Sequence, residues 1–269
     1  MANFTLYNGD CLEYLDKVPD NSVDCIITDP PYNISKENDN RDRSKLDSPI
    51  MRRKKAINYD FGDWDNMERQ EFLDFTRKWF EKCCSKLKEG GGGMICFFNK
   101  EDISYFNWIC KEYGMRTRTI FTWHKTNPVP AFRKVNYLSS CESAWVGSKG
   151  EKAWTFNFGY QKDMHNFMET PNKSSYGITD HPTEKPVDLI ENFVRIHTNE
   201  GDTVLDCFMG SGTTGVACKN LNRNFIGIEK DPHYFDIAKQ RCEGTYVPIK
   251  PAEDVEYEDG FEKFDLLGI

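Results

Sequence analysis

Asp29-Pro30-Pro31-Tyr32 places a carboxylate, a stiffened backbone and an aromatic face directly after the apolar run Val23–Ile27. Proline fixes φ at about −65° and has no N–H, so two in succession leave carbonyls free to accept hydrogen bonds beside the Asp29 carboxylate. Such a tetrad can hold a flat ring that carries an NH2 group: Asp29 and a neighbouring carbonyl accept its two N–H bonds, and Tyr32 stacks on its face. The same four residues would also serve as a strand-ending turn with a solvated aspartate and a packed tyrosine. The remainder of the chain has to decide between the two.

A second constellation runs Asp206-Cys207-Phe208-Met209-Gly210-Ser211-Gly212-Thr213-Thr214-Gly215. It contains G-x-G-x-x-G at a strand-to-helix junction, and Glu229 closes the following strand. Glycines permit a tight turn and close backbone approach, while the acid can hold ribose hydroxyls, which together make a nucleotide-type site. At this level a dinucleotide remains open as the ligand.

The elements that must position these residues alternate short apolar runs with amphipathic helical stretches, the signature of a mostly parallel sheet covered on both faces. Val23–Thr28 reads as a strand. Asn66–Lys88 reads as a long helix with Phe72, Phe75, Trp79, Phe80 and Cys83 at three- and four-residue steps, stopped by Gly90–Gly93 before a buried strand at Met94–Phe98. Glu101–Tyr113 is helical in pattern, and Arg116–Trp123 with Cys141–Val146 forms an antiparallel corner. Order resumes with a helix over Lys185–His197, a strand over Thr203–Cys207, a helix over Thr213–Leu221, a strand over Phe225–Ile228 and a helix over Pro232–Cys242. The expected architecture is one doubly wound α/β domain, a mostly parallel sheet with helices on both faces and an antiparallel strand. The strand before Asp29 should lie beside the strand before Phe208, bringing both motifs to one carboxyl edge.

With 269 residues the chain can build one large domain. The organisation expected is a domain over 1–245, with irregular stretches at 33–60 and 127–180 inserted in it, followed by an acidic tail at 246–269. No leader-like or membrane-spanning run is visible, so the chain reads as cytoplasmic, with no membrane partner. Its ten cysteines are scattered through apolar runs without C-x-x-C spacing and its five histidines show no ligand cadence, so reduced core thiols and no metal site are expected. The net charge of −8 is concentrated in the tail, where Pro251–Ile269 carries seven acids against Lys263. Two segments, Arg41–Lys55 and Lys111–Lys134, are each +5. Phosphates are met by local patches, so Arg52, Arg53, Lys54, Lys55, Lys125, Arg133 and Lys134 are candidate DNA contacts despite the acidic balance.

Six short motifs in order carry a resemblance: Asn8-Gly9-Asp10-Cys11, Asp29–Tyr32, Phe61-Gly62-Asp63-Trp64-Asp65, Trp123-His124-Lys125-Thr126-Asn127-Pro128, His181-Pro182-Thr183-Glu184-Lys185-Pro186, and Asp206–Gly215 with Ile226-Gly227-Ile228-Glu229. From about Leu6 to Arg241 the chain resembles the β-class S-adenosylmethionine-dependent DNA amino-methyltransferases, in which the D-P-P-Y tetrad precedes the cofactor motif. Cys207 departs from the proline common at that position. The resemblance implies methylation of adenine N6 in duplex DNA, with cytosine N4 as the alternative because relatives acting there more often begin the tetrad with serine. It also implies a seven-stranded Rossmann-like sheet with an antiparallel edge strand, and a catalytic domain over 1–245 in which 33–60 is a DNA-facing loop and 127–180 a target-recognition region. It implies Asp29, Pro30, Pro31 and Tyr32 as the catalytic group and S-adenosylmethionine as cofactor. Phe208, Gly210, Ser211, Gly212 and Thr213 would shape its pocket, with Asp206 either a contact or a strand-end cap. Glu229 would hold its ribose, Asp10 with Cys11 its adenine, and Lys185 with Thr183 its carboxylate. Family habit leaves a homodimer and a cognate restriction endonuclease open as partners. A nicotinamide-dependent oxidoreductase would leave the tetrad unexplained, and a non-catalytic DNA-binding module would leave the intact catalytic residues without purpose.

Overall fold

Along β2 (Cys25–Thr28) side chains alternate between faces: Ile26 packs into one buried apolar cluster, Cys25 and Ile27 into another, all three at most 1% exposed. A strand buried on both faces needs helices on both sides. The computed structural model describes residues 2–33, 67–128, 137–150, 154–172 and 179–248. Among them, in chain order, are β1 (Phe4–Asn8), α1 (Cys11–Tyr14), β2, α2 (Arg69–Lys86), β3 (Gly93–Phe98), α3 (Ile103–Glu112), β4 (Met115–Lys125), β5 (Cys141–Lys149), β6 (Phe167–Thr170), α4 (Val187–His197), β7 (Thr203–Asp206), α5 (Thr213–Asn220), β8 (Asn224–Glu229) and α6 (Pro232–Glu243).

The strands form one sheet in the order β1-β8-β7-β2-β3-β5-β4-β6. Strands β1, β8, β7, β2 and β3 are parallel; β5 runs antiparallel between β3 and β4, and β6 is parallel to β4. The doubly wound fold is therefore as expected, with two corrections. The sheet has eight strands, because β6 adds an outer strand on β4 that its short, half-exposed sequence Phe167-Met168-Glu169-Thr170 does not announce. The antiparallel strand is not at the edge. Its residues Ala144, Trp145 and Val146 are buried on both faces, so β4 and β6 have to continue the sheet beyond it.

One face is closed by α2 and α3, with Trp79, Phe80 and Phe106 at most 1% exposed and Phe106 stacked on Phe98 at 4.5 Å. Burial of each such side chain contributes roughly 1.5–3 kcal/mol. The other face is closed by α4, α5 and α6 around Phe97, Phe121, Phe193 and Phe225. Helix α2 stops at Lys86, ahead of the glycine run. Leu87 turns extended (φ −64°, ψ 136°), bridges Val23, and lets Lys88 N–H donate to Val23 O at 2.9 Å, a tertiary pairing that outcompetes another helical turn. Helix α4 begins at Val187 with Pro186 as its N-cap, so Lys185 precedes the helix.

Nine of the ten thiols are buried, Cys141 being the exposed one. No described helix is long and apolar enough to cross a membrane. Most of the 33–60 loop and all of 249–269 lie outside the described residues. The region 127–180 is not wholly an insertion, since β5 and β6 fall inside it. Its aromatic stretch from Trp154 to Phe158 also lies away from the tetrad. A Cβ on Gly93, at the amino end of β3, would sit 3.2 Å from the Trp154 ring, and Asn157 bonds the last turn of α4.

Candidate active site

Strands β2 and β7 are neighbours in register Cys25↔Val204 and Ile26↔Leu205, so the chain leaves both at the same carboxyl edge. This brings the tetrad, Asp29–Tyr32, beside the glycine turn. The junction is bonded directly: Thr28 Oγ1 donates to Asp206 Oδ1 at 2.8 Å, with both side chains buried. Asp206 Oδ1 also accepts from Phe208 N–H (3.2 Å) and its Oδ2 from Thr214 Oγ1 (2.7 Å). Asp206 is thus a strand-end cap whose acceptors are engaged by protein. Burial raises its pKa to about 6, with the Thr214 and Thr28 hydroxyls opposing.

In the tetrad, Tyr32 OH donates to Asp29 Oδ1 at 2.6 Å, and Lys185 donates to Asp29 Oδ2. Asn99, just past β3, reaches the Tyr32 carbonyl at 3.4 Å. Asn33 adopts φ +57° and its Oδ1 accepts from Met67 N–H at 2.7 Å, which ties the residue after the tetrad to the residues leading into α2. Burial, reinforced by the Asp29 charge, pushes the Tyr32 phenol pKa well up, so Tyr32 stays a neutral donor.

Lys185 is only 8% exposed and contacts a second carboxylate, Glu142 Oε2, at 3.2 Å. Glu142 Oε1 in turn pairs with Lys125 Nζ at 2.5 Å. The result is an alternating row, Asp29–Lys185–Glu142–Lys125. Burial alone would lower the Lys185 pKa, but Asp29 and Glu142 outweigh it and hold the ammonium charged. Burial likewise opposes ionisation of Glu142, and the two lysines more than reverse that. Lys125 is therefore drawn in against Glu142, a different surrounding from the open phosphate contact expected of it. Arg52, Arg53, Lys54, Lys55, Arg133 and Lys134 lie outside the described residues.

The glycine turn is built by close approach. Gly210 (φ +49°) packs where a Cβ would lie 2.8 Å from His181 Nε2, and Gly212 (φ +83°) where one would lie 2.8 Å from the Ala238 backbone, so neither position accepts a side chain without strain. Glu229, at the end of β8, accepts Gly210 N–H on Oε2 (2.9 Å) and Asp231 N–H on Oε1 (2.8 Å), which fixes its carboxylate beside the turn. Burial raises its pKa. Phe208 is wedged edge-on against Trp79 at 5.4 Å. Asp10 follows β1, whose Asn8 pairs with Glu229 in register, so the two carboxylates share one stretch of edge. Its Oδ1 caps Leu12 N–H at 2.9 Å and its Oδ2 faces Lys230 at 3.3 Å. Cys11 turns its thiol into the core.

Ser211 and Thr213 face inward. Arg241, 8% exposed on α6, donates to Ser211 O (2.8 Å) and Oγ (2.9 Å) and to Thr213 Oγ1 (3.4 Å), and its other nitrogen pairs with Glu184 at 2.8 Å. Glu184 also accepts from Thr179 Oγ1 at 2.6 Å. This buried pair anchors the segment that carries Lys185 to the glycine turn. Thr183 is exposed, its N–H directed at His181 Nδ1 (3.4 Å). Burial and the nearby Lys185 charge bring the His181 pKa down to about 4, which leaves a neutral packing residue over Gly210.

Sequence reasoning missed Glu142, the Glu184–Arg241 pair and Thr28. The available signal for Glu142 was a carboxylate opening a strand that is otherwise apolar or small. The others had no signal, because their partners are 57 and 178 residues away.

Comparison with known proteins gives a consistent result. The profile of a family described as DNA methylase matches residues 23–240. Type II methyltransferase M2.MboI of Moraxella bovis is 29% identical over 97% of this chain and 94% of its own length. Type II methyltransferase M2.DpnII of Streptococcus pneumoniae is 30% identical over 88% of this chain and 89% of its own. Among solved structures, the M1.HpyAVI–SAM complex superposes with a TM-score of 0.65 at 31% identity, covering 88% of this chain and 98% of that one. The cytosine-N4-specific PvuII DNA methyltransferase superposes at 0.69 with 22% identity over 90% and 86% of the two chains, a likeness of fold.

Proposed function

This chain belongs to the DNA methylase family, and from that premise we propose that it transfers a methyl group from S-adenosylmethionine to N6 of an adenine flipped out of duplex DNA. The observation that carries this reading is the Thr28–Asp206 bond at the β2–β7 junction, which holds an amine-accepting tetrad and a nucleotide-type turn side by side.

The donor set suits S-adenosylmethionine. Gly210 and Gly212 leave the turn bare where side chains would not fit, and Glu229 offers ribose hydroxyls a carboxylate already oriented by two backbone N–H groups. Asp10 can accept from an adenine amino group, and the ammonium of Lys185 can meet a carboxylate with an N–H beyond the one donated to Asp29. Phe208 closes one wall. When bound, the cofactor supplies an electrophilic methyl group on sulfonium sulfur.

The chain's own residues deal with the acceptor. An aromatic amine is a poor nucleophile because its lone pair is delocalised into the ring. Extrusion of the base costs a few kcal/mol, and stacking on Tyr32, worth ~1–3 kcal/mol, offsets much of it. Asp29 and the Pro30 carbonyl accept the two N–H bonds, which draws the nitrogen toward tetrahedral geometry and stabilises the positive charge that develops there. Asp29 arrives preset, since Tyr32 holds one oxygen and Lys185 the other. Double-stranded DNA is the substrate. A second copy of the chain and a restriction endonuclease of the same specificity are partners to be tested by sedimentation and by challenge digestion.

The test is single-molecule sequencing of plasmid DNA from methylation-deficient cells expressing the wild type or Asp29→Ala. N6-methyladenine in one sequence context, present with wild type and absent with Asp29→Ala, is the expected result. N4-methylcytosine would keep the mechanism and change the base. An unmarked plasmid despite folded protein that binds S-adenosylmethionine would overturn the assignment to DNA.

A further inference from the structure

A lysine set against Asp29 poses an electrostatic problem for the reaction just proposed. If the Lys185 ammonium belonged to Asp29 alone, it would cancel the negative charge needed where the amine becomes positive. The structure shows where the excess goes: Lys185 is shared with Glu142, whose other oxygen is held by Lys125 at 2.5 Å. Glu142 can be there because β5 is antiparallel. Its amino end lies at the carboxyl edge of its neighbours, opposite Trp123 of β4 and one residue before the Ser143–Phe98 pair with β3. Parallel strands would deliver only their last residues to this edge.

Resting on the methyl-transfer reading of the tetrad, we propose that Glu142 is a positioning residue for catalysis: it shares the Lys185 ammonium with Asp29, so that Asp29 is fixed in orientation while keeping net negative charge toward the target amine. The two carboxylates reach Lys185 from different elements, the turn after β2 and the start of β5, so the ammonium is confined between them. Tyr32 and Phe97 supply the apolar walls, with ring centroids 5.9 and 4.9 Å from Nζ. Lys125, 14% exposed by its side chain, holds the other oxygen of Glu142 from the far side and so orients that carboxylate. Removing the Glu142 charge frees Lys185 to pair with Asp29 alone. The amine then meets a neutralised acceptor whose orientation is set from one side.

The experiment is single-turnover transfer of a labelled methyl group from S-adenosylmethionine to unmethylated plasmid DNA, with wild type, Glu142→Gln, Glu142→Asp, Lys185→Met and the Lys185→Met/Glu142→Gln double variant. Glu142→Gln should lower the rate of the chemical step about 10- to 100-fold while KM for DNA and Kd for S-adenosylmethionine stay within about 3-fold, and Glu142→Asp should recover part of the loss. Because Glu142 acts through Lys185, the double variant should be no slower than Lys185→Met. That comparison stands even if Glu142→Gln alone fails to fold, since the double variant leaves no Glu142–Lys185 charge unpaired. A Glu142→Gln enzyme with a wild-type chemical step, or a double variant much slower than Lys185→Met, would overturn the proposal while leaving methyl transfer intact. A wild type that moves no methyl group to DNA would instead remove the reading on which the proposal rests.

Discussion

Thr28 Oγ1 donates to Asp206 Oδ1 at 2.8 Å, linking the last residue of β2 to the last residue of β7 inside the core. One hydroxyl thereby sets the distance between the tetrad and the glycine turn. In Thr28→Val the shape is kept and the donor lost, so Asp206 is left short of a partner. The expected cost is about 1–3 kcal/mol, read from denaturant unfolding, together with weaker S-adenosylmethionine binding by isothermal titration. Unchanged stability and affinity would show that the bond positions nothing.

Asp206 also makes stability depend on pH. Its folded pKa, about 6, lies above the ordinary 3.8. The folded state therefore binds the proton more tightly, and the contribution is fully present below about pH 3.8 and lost as pH rises through about 6. Asp206→Asn removes this dependence. Wild-type stability relative to Asp206→Asn should fall by on the order of 3 kcal/mol between pH 4 and pH 7.5. A constant difference across that range would exclude Asp206 as its source.

The Tyr32 hydroxyl and ring have separable roles. Tyr32→Phe deletes the 2.6 Å bond to Asp29 and keeps the stacking face, so turnover should drop about 10-fold with the fluorescence of a flipped 2-aminopurine target preserved. Tyr32→Ala should lose both. Equal fluorescence loss in the two variants would argue against a stacking ring.

Arg241 and Glu184 form a pair whose side chains are 5% and 2% exposed. Arg241→Ala leaves Glu184 buried without its cation and should destabilise by about 3–5 kcal/mol. Arg241→Met with Glu184→Gln should recover a large part. Additive losses in that double-mutant cycle would show that the two residues are not energetically coupled.

Gly212 sits at φ +83° against the Ala238 backbone. Gly212→Ala should cost more than about 1 kcal/mol and lower the melting temperature, because both the backbone angle and the close approach of α6 are violated. A melting temperature equal to wild type would mean the turn can relax.

Much of this protein can be read without coordinates, because the relevant physics is local. The tetrad and the G-x-G-x-x-G turn are contiguous strings whose chemistry follows from proline, glycine and carboxylate in fixed order. The alternation of apolar runs with helical periodicity is enough to place both motifs at strand ends of one mostly parallel sheet. Burial on both faces of β3 follows from its unbroken apolar sequence Met94–Phe98.

What the tertiary structure decided is the company those residues keep. Lys185 could be assigned a cofactor carboxylate from its motif, but its nearest carboxylates, Asp29 and Glu142, come from 156 residues away and from the neighbouring antiparallel strand. Lys125 looked like a surface cation and is drawn in to Glu142. Ser211 looked like a ligand contact and is satisfied by Arg241, and Asp206, readable as a contact or a strand-end cap, is engaged by Thr28 and Thr214. The pairing of Lys185 and Lys125 with Glu142 depends on β5 running against its neighbours, that of Ser211 on α6 packing across the turn, and that of Asp206 on β2 lying beside β7. Such long-range pairings are set by sheet order and burial, to which no local stretch of sequence is sensitive.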